Sequence, residues 1–221
     1  MVLIFFQILY KSSIPFSTDS LPIHNILFKE TFASSLGNLV PFSITILFIY
    51  GLKMNYIDFI LSLLKKINSK IKIKKFKTKI DSNNINKIAK QYDLIIDGTD
   101  SFKTKLLIND YCYKNKKILI CGAISKFDGH VFVFNFKKKN SPCLRCFMPD
   151  IPSADMLDCQ SEGVLSTLAG MVGIIMANET IREILNFENS LCGNILIINA
   201  ENLLIKKIKL KKNKNCIKKI K

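Results

Sequence analysis

Two short stretches hold residues whose chemistry goes beyond what packing requires. The first, Asp97-Gly98-Thr99-Asp100, closes the apolar run Leu94-Ile95-Ile96. Two carboxylates at the end of a buried strand admit two readings. Either they serve the start of the next helix by accepting from its free N–H groups, or one of them holds a hard cation. Mg2+ is typically bound through one or two carboxylates plus the phosphates of a substrate. Gly98 would let such a ligand come close to the backbone. The second stretch is Cys143-Leu144-Arg145-Cys146. Its spacing is that of half a tetrathiolate zinc site, in which two thiolates grip one edge of a tetrahedron; two ordinary thiols are the alternative. Further along, Cys159 stands just before Gly163-Val164 and a long helical pattern, and a thiol near a helix N-terminus ionises more readily. Of the remaining cysteines, Cys112, Cys121 and Cys192 lie in apolar or strand-like settings and read as packing residues.

The elements that must position these groups become regular from about Lys53. Ile57, Ile60, Leu61, Leu64 and Ile67 recur at helical spacing, and Asn68-Ser69 closes that helix. Residues 71–76, Ile-Lys-Ile-Lys-Lys-Phe, alternate like an exposed strand. A short helix over 84–91 then precedes the buried strand 93–96, and a helix over 101–113 leads into the apolar run 117–122, a strand covered on both faces. Beyond it, residues 130–136 alternate, 163–185 are helical, and 194–199 with 203–210 read as a terminal strand pair. Strands alternating with helices indicate a parallel sheet, here with antiparallel additions. The expected fold is therefore α/β, a mixed sheet with flanking helices and C-terminal antiparallel strands. Residues 1–52 hold no sustained period and are punctuated by Pro15, Pro22 and Pro41; they stay unassigned, and 53–221 forms the α/β domain.

Composition narrows the partners. The chain has 221 residues, room for one full α/β core, and a net charge of +16. A basic face concentrates polyanions, yet the charge is lysine, with Arg145 and Arg182 as the arginines. Readers of bases and phosphates usually exploit the arginine fork. Lysine, isoleucine and asparagine share A/T-rich codons, so a biased genome accounts for the charge, and neither nucleic acid nor membrane is expected as a partner. The apolar start, Met1 to Phe6, lacks the basic region and cleavage site of a signal peptide. The run from Leu39 to Tyr50 contains Pro41 and is shorter than the ~20 residues of a spanning helix. Seven cysteines without a secretory signal suit a reducing, cytoplasmic setting.

The series Tyr92-Asp93-Leu94-Ile95-Ile96-Asp97-Gly98-Thr99-Asp100-Ser101-Phe102, Asn109-Asp110, Cys121-Gly122-Ala123-Ile124 and Phe127-Asp128-Gly129-His130-Val131 resembles the ThiF/MoeB/HesA family. The likeness continues through Pro142 to Phe147, Cys159-Gln160-Ser161-Glu162-Gly163-Val164 and Ala177-Asn178-Glu179, and spans about Lys53 to Cys216. Members are relatives of the ubiquitin-activating enzymes and adenylate the C-terminal glycine of small ubiquitin-like sulfur carriers. The resemblance implies a Rossmann-like sheet, ATP and Mg2+ as cofactors, and a homodimer with a sulfur-carrier protein as partner. It also implies residue roles. Asp100 coordinates Mg2+ and the ATP phosphates, with Asp97 fixing the local turn. Lys53 corresponds to an ATP-binding lysine, although it sits about one helical turn too far from Asn68. Lys105 stands where the family has an arginine on the nucleotide side and is expected as a cofactor contact, keeping the charge without the fork. Cys159 matches the cysteine with which some members carry the carrier covalently. Cys143, Cys146 and Cys216 match three of the four zinc thiolates, while Lys219 occupies the fourth position and, as a cation, cannot ligate at neutral pH.

One part of the family pattern is missing. Members open with a strand, a glycine-rich turn and a helix whose N–H groups cradle the phosphates. No such turn is readable here; the nearest echo, residues 33–38, Ala-Ser-Ser-Leu-Gly-Asn, puts serines at two glycine positions. Two functions therefore stand. One is adenylylation of a sulfur carrier for thiamine- or molybdopterin-type sulfur transfer. The other is an impaired or truncated remnant that binds a carrier or dimerises without turning over ATP.

Overall fold

In the computed structural model, residues 2–6, 44–48, 62, 64–70, 72–76, 78–149, 163–213, 215 and 216 are described. Seven strands form one sheet in the order β2-β1-β3-β4-β5-β6-β7. Its parallel half comprises β1 (Val2–Phe6), β2 (Ile44–Phe48), β3 (Leu94–Gly98) and β4 (Ile118–Ser125). Its antiparallel half adds β5 (Asp128–Asn135), β6 (Asn194–Asn199) and β7 (Leu204–Lys209). The helices are α1 (Ile85–Ala89), α2 (Phe102–Lys114), the single turn α3 (Leu144–Phe147) and α4 (Ser166–Ile184).

Side-chain alternation makes three layers of this chain. Along a strand, successive side chains point to opposite faces. Ile95, Leu119, Cys121, Phe132 and Phe134 accordingly face one core, shared with Ile88 of α1 and Leu106, Ile108 and Cys112 of α2. Their neighbours Leu94, Ile96, Ile120, Val131 and Val133 face the other, under Leu168, Val172 and Met176 of α4. An isolated sheet of this kind exposes both apolar faces, so the helices on either side are what make it stable. Helix α4 lies very close to the β4–β5 hairpin. A Cβ added at Gly129 would come within 2.7 Å of Val172 Cγ2 and 3.0 Å of Leu168 Cδ1. Glu179 on α4 is buried and accepts the Leu191 N–H at 2.8 Å, which fixes the helix against the loop that enters β6.

The strands and helices read from residue 84 onward stand within a few residues of their expected ends. Two features differ from expectation. Strands β1 and β2 lie within residues 1–52 and continue the parallel half of the sheet, with Val2 opposite both Ile44 and Leu94. Conversely, residues 72–76 are not a strand. Apolar alternation makes a strand only where a neighbour completes the backbone ladder, and in the sheet order β2 has β1 as its one neighbour. Phe76 packs instead against the core shared with α1 and α2.

Candidate functional site

The carboxyl ends of β3 and β4 meet the start of α2, the position at which open α/β sheets bind ligands. Asp97, the fourth residue of β3, is fully buried. Its Oδ1 accepts from the backbone N–H of Thr99 at 2.9 Å and from the Thr99 hydroxyl at 2.7 Å. This is an Asx turn, in which a side chain replaces the backbone acceptor of a tight turn. Its Oδ2 faces the Lys105 ammonium at 3.4 Å and accepts from the Cys121 thiol at 3.4 Å. Lys105 comes from the first turn of α2, is 3% exposed, and donates to the Gly122 carbonyl at 2.5 Å. Burial alone would lower the pKa of Lys105, but the Asp97 charge beside it and Cys121 outweigh that effect and raise it, so the ammonium stays charged. Burial pushes the Cys121 thiol well up, leaving it a hydrogen-bond donor rather than a nucleophile.

Asp100 is placed differently. It is exposed one step beyond the turn and makes no hydrogen bond or ion pair among the described residues. Nor does it cap α2, because Ser101 is the N-cap and accepts the Thr104 N–H at 3.4 Å. The helix-cap reading of the two acids is thereby removed for both: Asp97 is spent inside the fold, and Asp100 is left facing outward. Lys105 is brought to Asp97 rather than to Asp100. Lys53 and Cys159 lie outside the described residues.

The thiols form the second constellation. Sulfurs of Cys143, Cys146 and Cys216 all lie within 4.8 Å of one another, and Cys143 Sγ is 3.7 Å from Cys146 Sγ. A tetrahedron with Zn–S bonds of ~2.3 Å has an edge of about 3.8 Å, so this pair fits a zinc site. Backbone N–H groups of Asn213 and Cys143 point at Cys146 Sγ, at 3.3 and 3.4 Å. Burial resists ionisation of that thiol, but these donors overcome it and lower its pKa; Cys143, the most buried of the three, is pushed the other way. Three residues thus meet from places as far apart as 143 and 216. The fourth family position, Lys219, lies outside the described residues.

Helix α2 joins the two constellations. Asn109 is fully buried, and its Oδ1 accepts the Leu144 N–H at 2.8 Å, holding the start of α3. Asp110 forms a two-pronged pair with Arg145: Nε to Oδ1 at 2.8 Å and Nη2 to Oδ2 at 2.7 Å. In the sequence, Asn109-Asp110 and Arg145 stand in separate motif pieces. Their pairing needs the fold, since 35 residues separate them.

Comparison with known proteins agrees with this arrangement. The model of the ThiF family matches residues 53–218. The adenylyltransferase and sulfurtransferase MOCS3 of Culex quinquefasciatus is 33% identical over 156 residues, 70% of this chain and 35% of that protein. A sulfur carrier protein adenylyltransferase of Thermus thermophilus is 31% identical over 157 residues, 69% of this chain and 58% of that protein. A probable molybdopterin-synthase adenylyltransferase of Pyropia yezoensis is 38% identical over 137 residues, 61% of this chain and 36% of that protein. The chain therefore spans between about a third and three-fifths of these relatives' lengths. Among solved structures, E. coli MccB with ATP superposes with a TM-score of 0.63 at 13% identity, covering 78% of this chain and 58% of that one. That likeness shows the Rossmann-like fold. Family match, motif order and sheet topology converge: this chain belongs to the ThiF family.

Proposed function

We propose that the chain takes part in ATP-dependent adenylylation of the C-terminal glycine of a small ubiquitin-like sulfur-carrier protein, with Asp100 as the ligand of Mg2+. The observation that carries this reading is the exposed Asp100 carboxylate at the end of β3, left without a partner among the described residues while Asp97 and Ser101 perform the structural tasks. The curated relatives named as adenylyltransferases support it. Bound Mg2+ would neutralise phosphate charge as the carrier carboxylate attacks the α-phosphate. The chain's own part is to hold Asp100 at the strand end and to keep Asp97, Lys105 and Cys121 closed behind it, away from water. Lys53 is proposed as a nucleotide contact and Cys159 as an accessory thiol. Cys143, Cys146 and Cys216 would hold Zn2+, which supplies a cross-link between the C-terminal segment and α3 rather than chemistry. A homodimer and a cytoplasmic setting belong to the same reading. Among the described residues no helix is long and apolar enough to cross a membrane.

A second reading has its own observation. No glycine-rich turn is readable in the sequence before Gly37, the first glycine in it. A side chain in place of glycine crowds the approach of phosphate to the backbone. That favours a carrier-binding or dimerising remnant. Carrier-dependent ATP–pyrophosphate exchange separates the two, using carriers that end in Gly-Gly and the Asp100→Ala variant. Exchange that falls by about 100-fold or more in the variant upholds the first reading. Absence of exchange by folded wild-type protein with every carrier upholds the second.

A further inference from the structure

Lys105 is the most enclosed cation at the strand ends, and the chemistry just described does not use it. Its ammonium joins three pieces of the fold. Gly122 O belongs to β4, Asp97 Oδ2 to β3, and the Lys105 backbone N–H bonds Ser101 O at 2.9 Å in the first turn of α2. Asp97 in turn has a divided role: Oδ1 holds both donors of Thr99, and Oδ2 holds the ammonium and the Cys121 thiol. Remove the ammonium, and Oδ2 is a buried anion with a thiol as its remaining donor. A carboxylate in that position takes up a proton or turns toward water, and either change releases the turn at Thr99. Asp100 is the next residue.

We propose that Lys105 is a positioning residue: by pinning Asp97 and the Gly122 carbonyl it fixes the Asp97–Thr99 turn that presents Asp100, and it does not itself touch the nucleotide. This assignment rests on the reading of Asp100 as a Mg2+ ligand. It differs from a direct phosphate contact, which would need the ammonium turned outward. A charge-neutral pair distinguishes the two roles. In Asp97→Asn/Lys105→Met, the amide oxygen still accepts from Thr99, no charge is stranded, and no cation remains.

The test compares wild-type, Lys105→Met and the double variant in ATP–pyrophosphate exchange with a Gly-Gly carrier, over a range of Mg2+ and ATP concentrations. Positioning predicts that Lys105→Met loses about 100-fold in kcat, the scale of a displacement of about an ångström. Its KM for ATP changes little, and the Mg2+ concentration needed for half-maximal rate rises. The double variant then returns to within about tenfold of wild type, because the two substitutions are coupled. A direct contact predicts a raised KM for ATP in both variants and no recovery, and that result overturns the assignment. If Lys105→Met does not fold, recovery or its absence in the double variant decides. If wild-type protein shows no exchange, the reading of Asp100 fails, and the strut is judged by hydrogen exchange at the Thr99 amide. Slow exchange in wild type and double variant with fast exchange in Lys105→Met supports it, whereas equal rates in all three refute it.

Discussion

Arg145→Ala tests the claim that the thiol cluster is fastened to α2. The guanidinium meets Asp110 through two parallel bonds, at 2.8 and 2.7 Å, with the side chains 15% and 14% exposed. Charge-assisted bonds contribute about 1.5–3 kcal/mol each, and the residual exposure lets water recover part of that on truncation. Left alone, Asp110 keeps the Asn109 amide as a donor at 3.0 Å. The change also removes the Nη1 bond to the Pro149 carbonyl at 3.3 Å. The expected loss is about 2–4 kcal/mol in urea unfolding, with a coupling of about 2 kcal/mol in a double-mutant cycle with Asp110→Asn. Arg145→Lys should recover less than half, since an ammonium cannot reproduce the fork. Because Arg145 lies between the two cysteines, Arg145→Ala should also release zinc to a chelator faster than wild type. A coupling below about 0.5 kcal/mol, the value of an exposed pair, would refute the reasoning.

Two further outcomes follow from packing and charge. Gly129→Ala should destabilise by about 1–3 kcal/mol in urea, because the added methyl meets the short, branched Val172 side chain, which has little room to move. Restoration by Gly129→Ala/Val172→Ala would identify that contact as the cause, and an unchanged midpoint in the single variant would exclude it. The pH dependence of the Lys105 strut has a definite sign. Its pKa is raised above the ordinary lysine value of 10.5, so its contribution is complete below that value and is lost as pH rises through the folded one. The stability gap between wild type and Lys105→Met should therefore not narrow between about pH 6 and 9, widening where the stranded Asp97 of the variant gives up its proton, and should narrow only in strong alkali. A gap that closes near neutrality, measured by urea unfolding, would mean that the buried ammonium does not stay charged.

Which features were legible in the sequence depends on how local their causes are. Strands β3 to β6 announce themselves by residues that alternate or run apolar over short spans, and α2 and α4 by helical spacing with a serine or glycine at the start. The Asp97–Asp100 turn and the Cys143–Cys146 pair were legible as well, because their chemistry is carried by residue type and short spacing, whereas Cys216 entered through the family resemblance alone. The strands β1 and β2 were not, since a parallel strand's partners lie far away in sequence: Ile4 pairs with Ile46 and Ile96. The alternating residues 71–76 erred the other way, satisfying a local pattern without a ladder to join. Lys105 shows a third kind of limit. Its match to a family arginine suggested a nucleotide contact, and only the fold reveals that the ammonium turns inward to Asp97 and Gly122.

Helix α2 is the element that makes one device of these parts. Its N-cap Ser101 follows Asp100, its second turn begins beyond Lys105, and Asn109 and Asp110 on its later turns hold α3 and the thiols. A rigid helix transmits displacement along its axis because its backbone bonds leave few soft dihedrals. Zinc held as proposed by Cys143, Cys146 and Cys216 would therefore stiffen the same body that carries the Asp97–Lys105 strut, and through it the presentation of Asp100. Removing the metal should then reach the turn at Thr99 without any contact between the two sites, by way of Arg145 and Asp110. Breaking that fork should weaken the link while leaving the thiols themselves and the Asn109–Leu144 bond intact. Amide exchange at Thr99, followed with and without zinc in wild type and Arg145→Ala, should respond to the metal more strongly in the first protein than in the second. An equal response in both would show that the Arg145–Asp110 fork is not the route.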